Sequence, residues 1–580
     1  MIILAGFIVL IIVALGLLFA VVSSDLPHFE KTAGAERASK LQTQVGKKYK
    51  KLKTTGRKRS FSSICFPKSF EVQSPQKFVG KWLSPSNSNK EMLAFHGIGS
   101  GKTCVAVQAI LPWLSRGKPL VVTPAALVPG FRTELSGLCA GNAFASDDDR
   151  AILANPTHPK YTQTRERIAN SISDSVDIMS YNSFLTMTRE GKRGQVNPPI
   201  LIVDEAHNLC NPTGNYNRAT MDFIKARPEM RVLLMTATPI YDNPKEFIAL
   251  LRLLRREIPD KDAEEILSDP RLLKDVTNGL VSYYAGPPPY TYPEMTIKYE
   301  VCTMSKHQTK WYKSQVEKEM KDNGVLSIHS ISNSFYAASR AKAICVFRDG
   351  ISGTAGLSHM RKKDLMADGP LSEYSCKIQR LVEKLKSGKL SFVYSNFAGP
   401  NGIQFLVKAL EANGWREYRT PGPGRAYAIF SGEESSREKD DVRAVFNAPE
   451  NDRGKNIQVV IGSPAIKEGV SFFRMRHVHI LDPYWNYSRI EQIYGRASRY
   501  CSHKSLPEEK RKVTVFLYIA QTAGNEKMTA RRLIRSQNPK ISVDAFILSI
   551  AESKLKLNRG VLKTIIGNAV DRELGYGDKS

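Results

Sequence analysis

Ten residues, AFHGIGSGKT at 94 to 103, restrict this chain more than any other segment. A glycine-rich turn ending in Lys-Thr lets backbone N–H groups wrap a phosphate chain, with the lysine neutralising charge and the threonine hydroxyl on a magnesium ion. A strict Gly-x-x-x-x-Gly-Lys-Ser/Thr pattern is not met, because His96 stands where the first glycine belongs; Gly97, Gly99 and Gly101 are the usable glycines. The context is right: apolar residues Met92 to Phe95 supply a strand before the turn, and CVAVQAIL supplies a helix after it. A helix N-terminus offers free N–H groups and the positive end of its dipole to an anion. The turn therefore implies a nucleotide, with Lys102 and Thr103 against its phosphates.

Two distant segments turn nucleotide binding into hydrolysis. LIVDEAHNL at 201 to 209 ends an apolar run on two carboxylates, which places Asp204 and Glu205 at the C-terminal edge of a parallel sheet, where ligands bind. Asp204, with Thr103, would hold Mg2+; Glu205 would orient and deprotonate the attacking water, since phosphoryl transfer needs positioning and charge neutralisation above all. His207 would report the γ-phosphate to Thr236-Ala237-Thr238. Far downstream, QIYGRASR at 492 to 499 carries Arg496 and Arg499 three residues apart, on one face if the segment is helical. Such arginines stabilise transition-state charge, and Gln492, one turn earlier, would reach the γ-phosphate or His207. Hydrolysis would then need two lobes to close on ATP.

Length and patterning agree with two lobes. A chain of 580 residues, 42% hydrophobic, is too long for one core. LVVT at 120 to 123, ILIV at 200 to 203 and VLLM at 232 to 235 form one set of unbroken apolar runs; FVY at 392 to 394, VVI at 459 to 461 and VHIL at 478 to 481 form another. Runs of this kind alternating with helices predict parallel sheets covered on both faces. The expected organisation is a first ATP-binding lobe over 66–298, a helical insertion over 299–385, a second lobe over 386–540 and a helical tail over 541–580 that packs back on the second lobe. A formal net charge of +28 favours a polyanionic partner, nucleic acid before anionic membrane. The eight cysteines have no CxxC spacing, so neither a zinc site nor a disulfide framework is indicated, and a reducing compartment is expected.

The N-terminus reads differently. Residues 1 to 24 carry no charged side chain, a run long enough to span about 30 Å of hydrocarbon as a helix. Eight Lys or Arg and no carboxylate follow between 47 and 59, which would keep the body cytosolic. A transmembrane anchor over 1–24 and a basic tether over 25–65 are expected, with a misassigned start codon as the alternative.

These segments together resemble the superfamily 2 helicases, and within them the poxvirus-like group of large DNA viruses that includes the early transcription factor small subunit and nucleoside triphosphatase I. The strings that carry the resemblance run from SPQKFVGKWLSP through VVTPAALVPGFRTEL, MTATPIYDNPKE and IGSPAIKEGVSF to HVHILDPYWNYSRIEQIYGRASRYCSH. The resemblance implies two tandem RecA-like lobes and a contact from Gln76 to adenine. It also implies Thr123 with Pro124, Ser395 with Phe397, and Gly469 with Ser471 along a nucleic-acid track. The implied function is an ATP-dependent DNA translocase or helicase in viral early transcription, DNA being favoured over RNA. A viral RNA polymerase or transcription-factor subunit would be its partner, in the host cytoplasm or the virion. The competing expectations are a promoter-binding or scaffold subunit that uses ATP as a ligand, and a transcription-termination nucleoside triphosphatase.

Overall fold

Six short strands before residue 290 build one parallel sheet: β1 (Glu91–His96), β2 (Leu120–Thr123), β3 (Asp177–Ser180), β4 (Ile200–Val203), β5 (Arg231–Thr236) and β6 (Val281–Tyr284), in the order β3-β2-β4-β5-β1-β6. The computed structural model describes residues 34–577 except 55–58, 192–193, 195, 259–261, 324–333, 349, 433 and 465–470. Every residue of β2 and β4 is buried, because helices cover both faces; that is why these strands read as unbroken apolar runs and not as alternation. A second parallel sheet holds β7 (Glu294–Thr303), β8 (Ser391–Tyr394), β9 (Trp415–Glu417), β10 (Arg425–Phe430), β11 (Val459–Gly462), β12 (His477–Ile480) and β13 (Lys512–Gln521), in the order β7-β13-β12-β8-β11-β10-β9. The two α/β lobes are those expected.

The expected membrane helix is not found among the described residues. Among the described residues no helix is long and apolar enough to cross a membrane, and residues 1 to 24 lie outside them. The helix that opens the described chain, Gly34–Lys48, carries Glu36, Lys47 and Lys48 and is amphipathic, so it lies on the protein. The expected basic tether is corrected: Val45, Tyr49 and Leu52 are buried against Phe78 and Trp82 of lobe 1 and Tyr576 of the tail. Three apolar residues among the lysines were too sparse to register as a period.

Two other expectations change for the same reason, that long-range packing leaves no local mark. The helices between Lys306 and Leu385 are no separate insertion, since Tyr312, Ile344, Phe347, Ile378 and Leu381 share one apolar core with β8, β11, β12 and β13. The tail packs on both lobes. Its helix Val543–Gly567, roughly 37 Å long at 1.5 Å per residue, buries Ile547 and Leu548 in lobe 2 and Val561 and Ile565 in lobe 1. Lys554 grips Asp242 of lobe 1 at 2.7 Å, and Val570 N–H donates to Val281 O at 2.8 Å.

The lobe 2 end of this brace is anchored by a buried ion pair. Lys377 Nζ lies 2.7 Å from Asp544 Oδ2 and donates to Leu481 O at 2.7 Å, with both side chains at most 1% exposed. Asp544 also accepts from Ala520 N–H of β13. Removing one partner leaves an uncompensated buried charge, so Lys377→Met is expected to cost about 3–5 kcal/mol of stability, read as a lowered thermal midpoint. A midpoint unchanged from the parent protein would contradict this.

Two cysteine pairs are bonded, which corrects the reading that no disulfide is indicated. Cys104 pairs with Cys139 and Cys65 with Cys501, at separations of 35 and 436 residues that no local spacing rule detects.

Candidate ATPase active site

The phosphate loop and the two carboxylates meet because β1 and β4 both point their C-terminal ends to one edge of the sheet, with β5 between them. Beyond β1 the chain turns at Gly97, whose N–H donates to Tyr284 O at 2.9 Å, and enters the helix Lys102–Ile110. Gly99 and Gly101 sit at φ 77° and 75°, a left-handed region that a side chain would strain, so the turn requires glycine at both. His96, which breaks the strict motif, belongs to β1: it is fully buried with its Nε2 3.0 Å from Ser282 Oγ, and burial lowers its pKa to about 3. Gln76 is buried in the helix Ser74–Trp82 and donates to Gly101 O at 3.3 Å and Ser100 O at 3.4 Å. It thus braces the loop from behind.

At the end of β4, Asp204 is 4% exposed and accepts from Thr123 Oγ1 at 3.3 Å and from Glu205 N–H at 3.0 Å. Thr123, implied to face the nucleic-acid track, is therefore turned to this carboxylate. Thr103 is the second residue of the loop's helix, at the same sheet edge. A hydroxyl and a carboxylate form a hard oxygen donor set that fits Mg2+. The fit is supported by Ser100 Oγ, buried in the loop with no hydrogen-bond partner among the described residues. A bound Mg2+ would neutralise phosphate charge there.

Glu205 adopts φ 49°, ψ 52°, the left-handed region that costs a residue with a Cβ. Burial alone would raise its pKa. Lys102, then the hydrogen bond and charge of His207, and then Arg496 overcome that and bring it to about 2. Phosphate charge would offset Lys102 and Arg496 and make this carboxylate more basic. The sign follows: a depressed pKa keeps Glu205 ionised as pH falls, so kcat/KM, which reports free-enzyme groups, is expected to show no acid limb from Glu205 above about pH 3. An acid limb centred at pH 5 or higher that vanishes in Glu205→Gln would contradict it.

His207 Nδ1 lies 3.5 Å from Glu205 Oε2 and 3.4 Å from Thr236 Oγ1, which accepts from Thr238 N–H at 3.0 Å. The expected contact between His207 and the Thr-Ala-Thr segment is present. Tyr241 stacks on the imidazole, centroids 5.8 Å apart.

Lobe 2 faces this site across an interlobe cleft. The cleft, of about 500 Å³, is lined by Pro124, Tyr181, His207 and Tyr241 from lobe 1 and by Tyr394, Arg489, Gln492 and Arg496 from lobe 2, and runs beside the phosphate loop and the two carboxylates, which do not line it. Arg496 is buried and acts electrostatically on Glu205, as does Lys102, so both lobes converge on one carboxylate. Arg499 acts on Tyr292, whose hydroxyl donates to Ile98 O of the phosphate loop at 2.9 Å. The helical face proposed for the two arginines is not what brings them here. The helix Tyr487–Tyr494 ends at Gly495, so Gln492 is helical, Arg496 follows in a turn and Arg499 in irregular chain. Of the implied track residues, Pro124 lines the cleft, Ser395 is buried with its Oγ accepting from Phe397 N–H, and Gly469 lies outside the described residues.

Sequence reasoning missed Tyr181. It follows the N-cap Ser180, and its hydroxyl is 2.8 Å from Asp204 O and 3.1 Å from Glu205 O. That shared hydrogen bond helps to hold the left-handed turn that aims Glu205. The only available signal was its place in IMSYNSF at a strand end, which names no role. Tyr181→Phe removes a hydrogen bond worth about 1–1.5 kcal/mol, so kcat is expected to fall roughly tenfold with nucleotide affinity retained. Equal kcat in both proteins would exclude this role.

Comparisons with known proteins agree with the geometry. Residues 75–264 match the SNF2-related domain and residues 376–501 the helicase conserved C-terminal domain. A protein of Acanthamoeba polyphaga mimivirus, named as an ATP-dependent RNA helicase, is 35% identical over 501 residues, covering 82% of this chain and 87% of its own. A protein of Invertebrate iridescent virus 3, named as a helicase, is 28% identical over 545 residues; the match covers 86% of this chain and about half, 53%, of the relative. A termination factor NPH-I homolog of African swine fever virus is 23% identical over 530 residues, covering 77% and 71%. The chain belongs to the superfamily 2 helicases of large DNA viruses, ATP-hydrolysing enzymes built from an SNF2-related domain and a helicase C-terminal domain.

Proposed function

We propose that this ATPase uses Mg2+-ATP to move along duplex DNA during viral transcription. The observation that carries the reading is the convergence of Lys102 from lobe 1 and Arg496 from lobe 2 on Glu205, which couples hydrolysis to closure of the cleft. Lys102 would grip the β- and γ-phosphates, Asp204 and Thr103 would hold the metal, and Glu205 would orient water for in-line attack. Arg496 and Arg499 would stabilise charge on the transferred phosphoryl group, with Gln492 near it. Release of phosphate would let the lobes part, and alternating grip by each lobe would advance the protein. A net charge of +28 favours contacts to the phosphate backbone, so binding would be salt-sensitive and largely independent of sequence. The reading places the protein where ATP and viral DNA meet, in the host cytoplasm or the virion, beside a viral RNA polymerase or transcription-factor subunit.

The termination-factor name of the African swine fever virus relative favours a role at the end of transcription, the second reading. A promoter-binding scaffold is disfavoured, because ligand binding alone has no use for an aimed Glu205 and an arginine from the other lobe. ATP hydrolysis measured with duplex DNA, single-stranded DNA and RNA tests the proposal. Stimulation greatest with duplex DNA and lost in Lys102→Ala is expected. Equal rates with and without DNA, or stimulation by RNA alone, would overturn it.

A further inference from the structure

The segment from Phe61 to Gln73 is a strap that lies on lobe 2 at its start and on lobe 1 at its end. Ahead of it, Thr54 N–H donates to Leu574 O at 3.0 Å, holding the chain to the tail beside lobe 1. The short helix Phe61–Cys65 then docks on lobe 2: Tyr500 OH donates to Ile64 O at 3.1 Å, and the Arg511 guanidinium lies 3.7 Å above the Phe61 ring. Lys504 Nζ stands 5.0 Å from the Phe66 ring and donates to Cys65 O at 3.4 Å. By Gln73 the chain is back on lobe 1, where Tyr284 OH donates to Gln73 Oε1 at 3.2 Å, three residues before Gln76.

At the far point of this strap Cys65 is bonded to Cys501, two residues beyond Arg499. Tyr500, between them, is where the lobes touch: a Cβ added at Gly99 of the phosphate loop would lie 3.4 Å from Tyr500 Cβ. Cys501 N–H also donates to Thr291 O of the interlobe crossing at 2.9 Å. The bond therefore joins a segment rooted in lobe 1 to the segment of lobe 2 that carries the catalytic arginines.

We propose that Cys65 and Cys501 form a site of reversible covalent modification, a disulfide that staples the strap to the arginine-bearing segment and arrests turnover in the closed state. With both thiols free, the strap is held by hydrogen bonds and cation–π contacts that separate and reform as the lobes move. With the bond made, the arginine segment can no longer leave the strap. The oxidant is a low-molecular-weight disulfide. Cys501, half-buried while Cys65 is buried, reacts first: its thiolate attacks the donor S–S bond and expels one donor thiolate. The Cys65 thiolate then attacks the Cys501 sulfur of the mixed disulfide and expels the second. Two protein thiols give up two electrons and two protons, and one donor disulfide takes them up as two thiols.

The inference rests on the ATPase reading of the cleft and not on the choice of nucleic acid. The full chain is treated with oxidised glutathione and then with dithiothreitol, with ATP turnover and disulfide-linked peptides measured at each stage. The expected result is a Cys65–Cys501 peptide with turnover at least fivefold lower after oxidation, restored by reductant. Cys65→Ser should keep its turnover throughout, which separates this pair from Cys104–Cys139. Absence of the linked peptide, or an equal response of the parent protein and Cys65→Ser, would overturn the proposal. A reduced protein with no ATPase activity would count against the reading of the cleft instead. Amide exchange over residues 59–66 then decides the staple: slowing by oxidation only when Cys65 is present supports it, and unchanged exchange refutes it.

Discussion

Glu205→Gln is expected to lower kcat for ATP hydrolysis by about 10²–10⁴-fold while nucleotide affinity stays within a few-fold of the parent protein. The substituted amide can still occupy the left-handed turn held by Tyr181 and Asn208, whose side chain donates to Glu205 O at 2.9 Å, so the loop keeps its shape. What is lost is the negative charge that faces Lys102, His207 and Arg496. Without it an attacking water would have neither an anionic acceptor nor a fixed orientation. Steady-state hydrolysis together with equilibrium binding of a fluorescent nucleotide checks both halves. A variant that hydrolyses ATP at the parental rate would show that Glu205 is structural.

Arg496→Ala is expected to have an effect of similar or greater size, about 10³–10⁵-fold in the rate of the chemical step, because in the proposed role the guanidinium would act on charge that spreads only in the transition state. Its burial at the lobe interface removes competition from water and makes the interaction stronger than at a surface. Lys102, from the other lobe, remains to bind the ground-state phosphates, so nucleotide affinity should change little. Single-turnover hydrolysis separates the chemical step from product release. A loss seen only in affinity would mean that Arg496 serves binding alone.

The parts of this molecule that were legible in sequence are those whose chemistry is local. The phosphate loop, the pair Asp204 and Glu205, and the six apolar strands each carry their signal within a few residues, and backbone sterics or burial on both faces enforce it. The motif singles out Gln492, Arg496 and Arg499 as candidates, but it hides the break at Gly495, because a helical spacing and a helix end look alike over four residues. What could not be read depends on contacts hundreds of residues apart. The basic segment after residue 34 reads as a tether until Tyr49 is seen against Phe78 and Tyr576 is found beside them. The tail bridges both lobes through Lys554 and Asp242, 312 residues apart, and the Cys65–Cys501 bond spans 436. Tyr181 acts through its hydroxyl on another segment's backbone, and no pattern of side chains announces that.

In the proposed mechanism, groups from the two lobes act on the same phosphoryl transfer. A double-mutant cycle of Glu205→Gln and Arg496→Ala in single-turnover ATP hydrolysis tests it most directly. Residues that work as a unit lose their effect together, so the double variant should be little slower than the slower single variant. Losses that multiply, each substitution costing its full factor in the presence of the other, would mean that Glu205 and Arg496 act independently and would contradict the shared site.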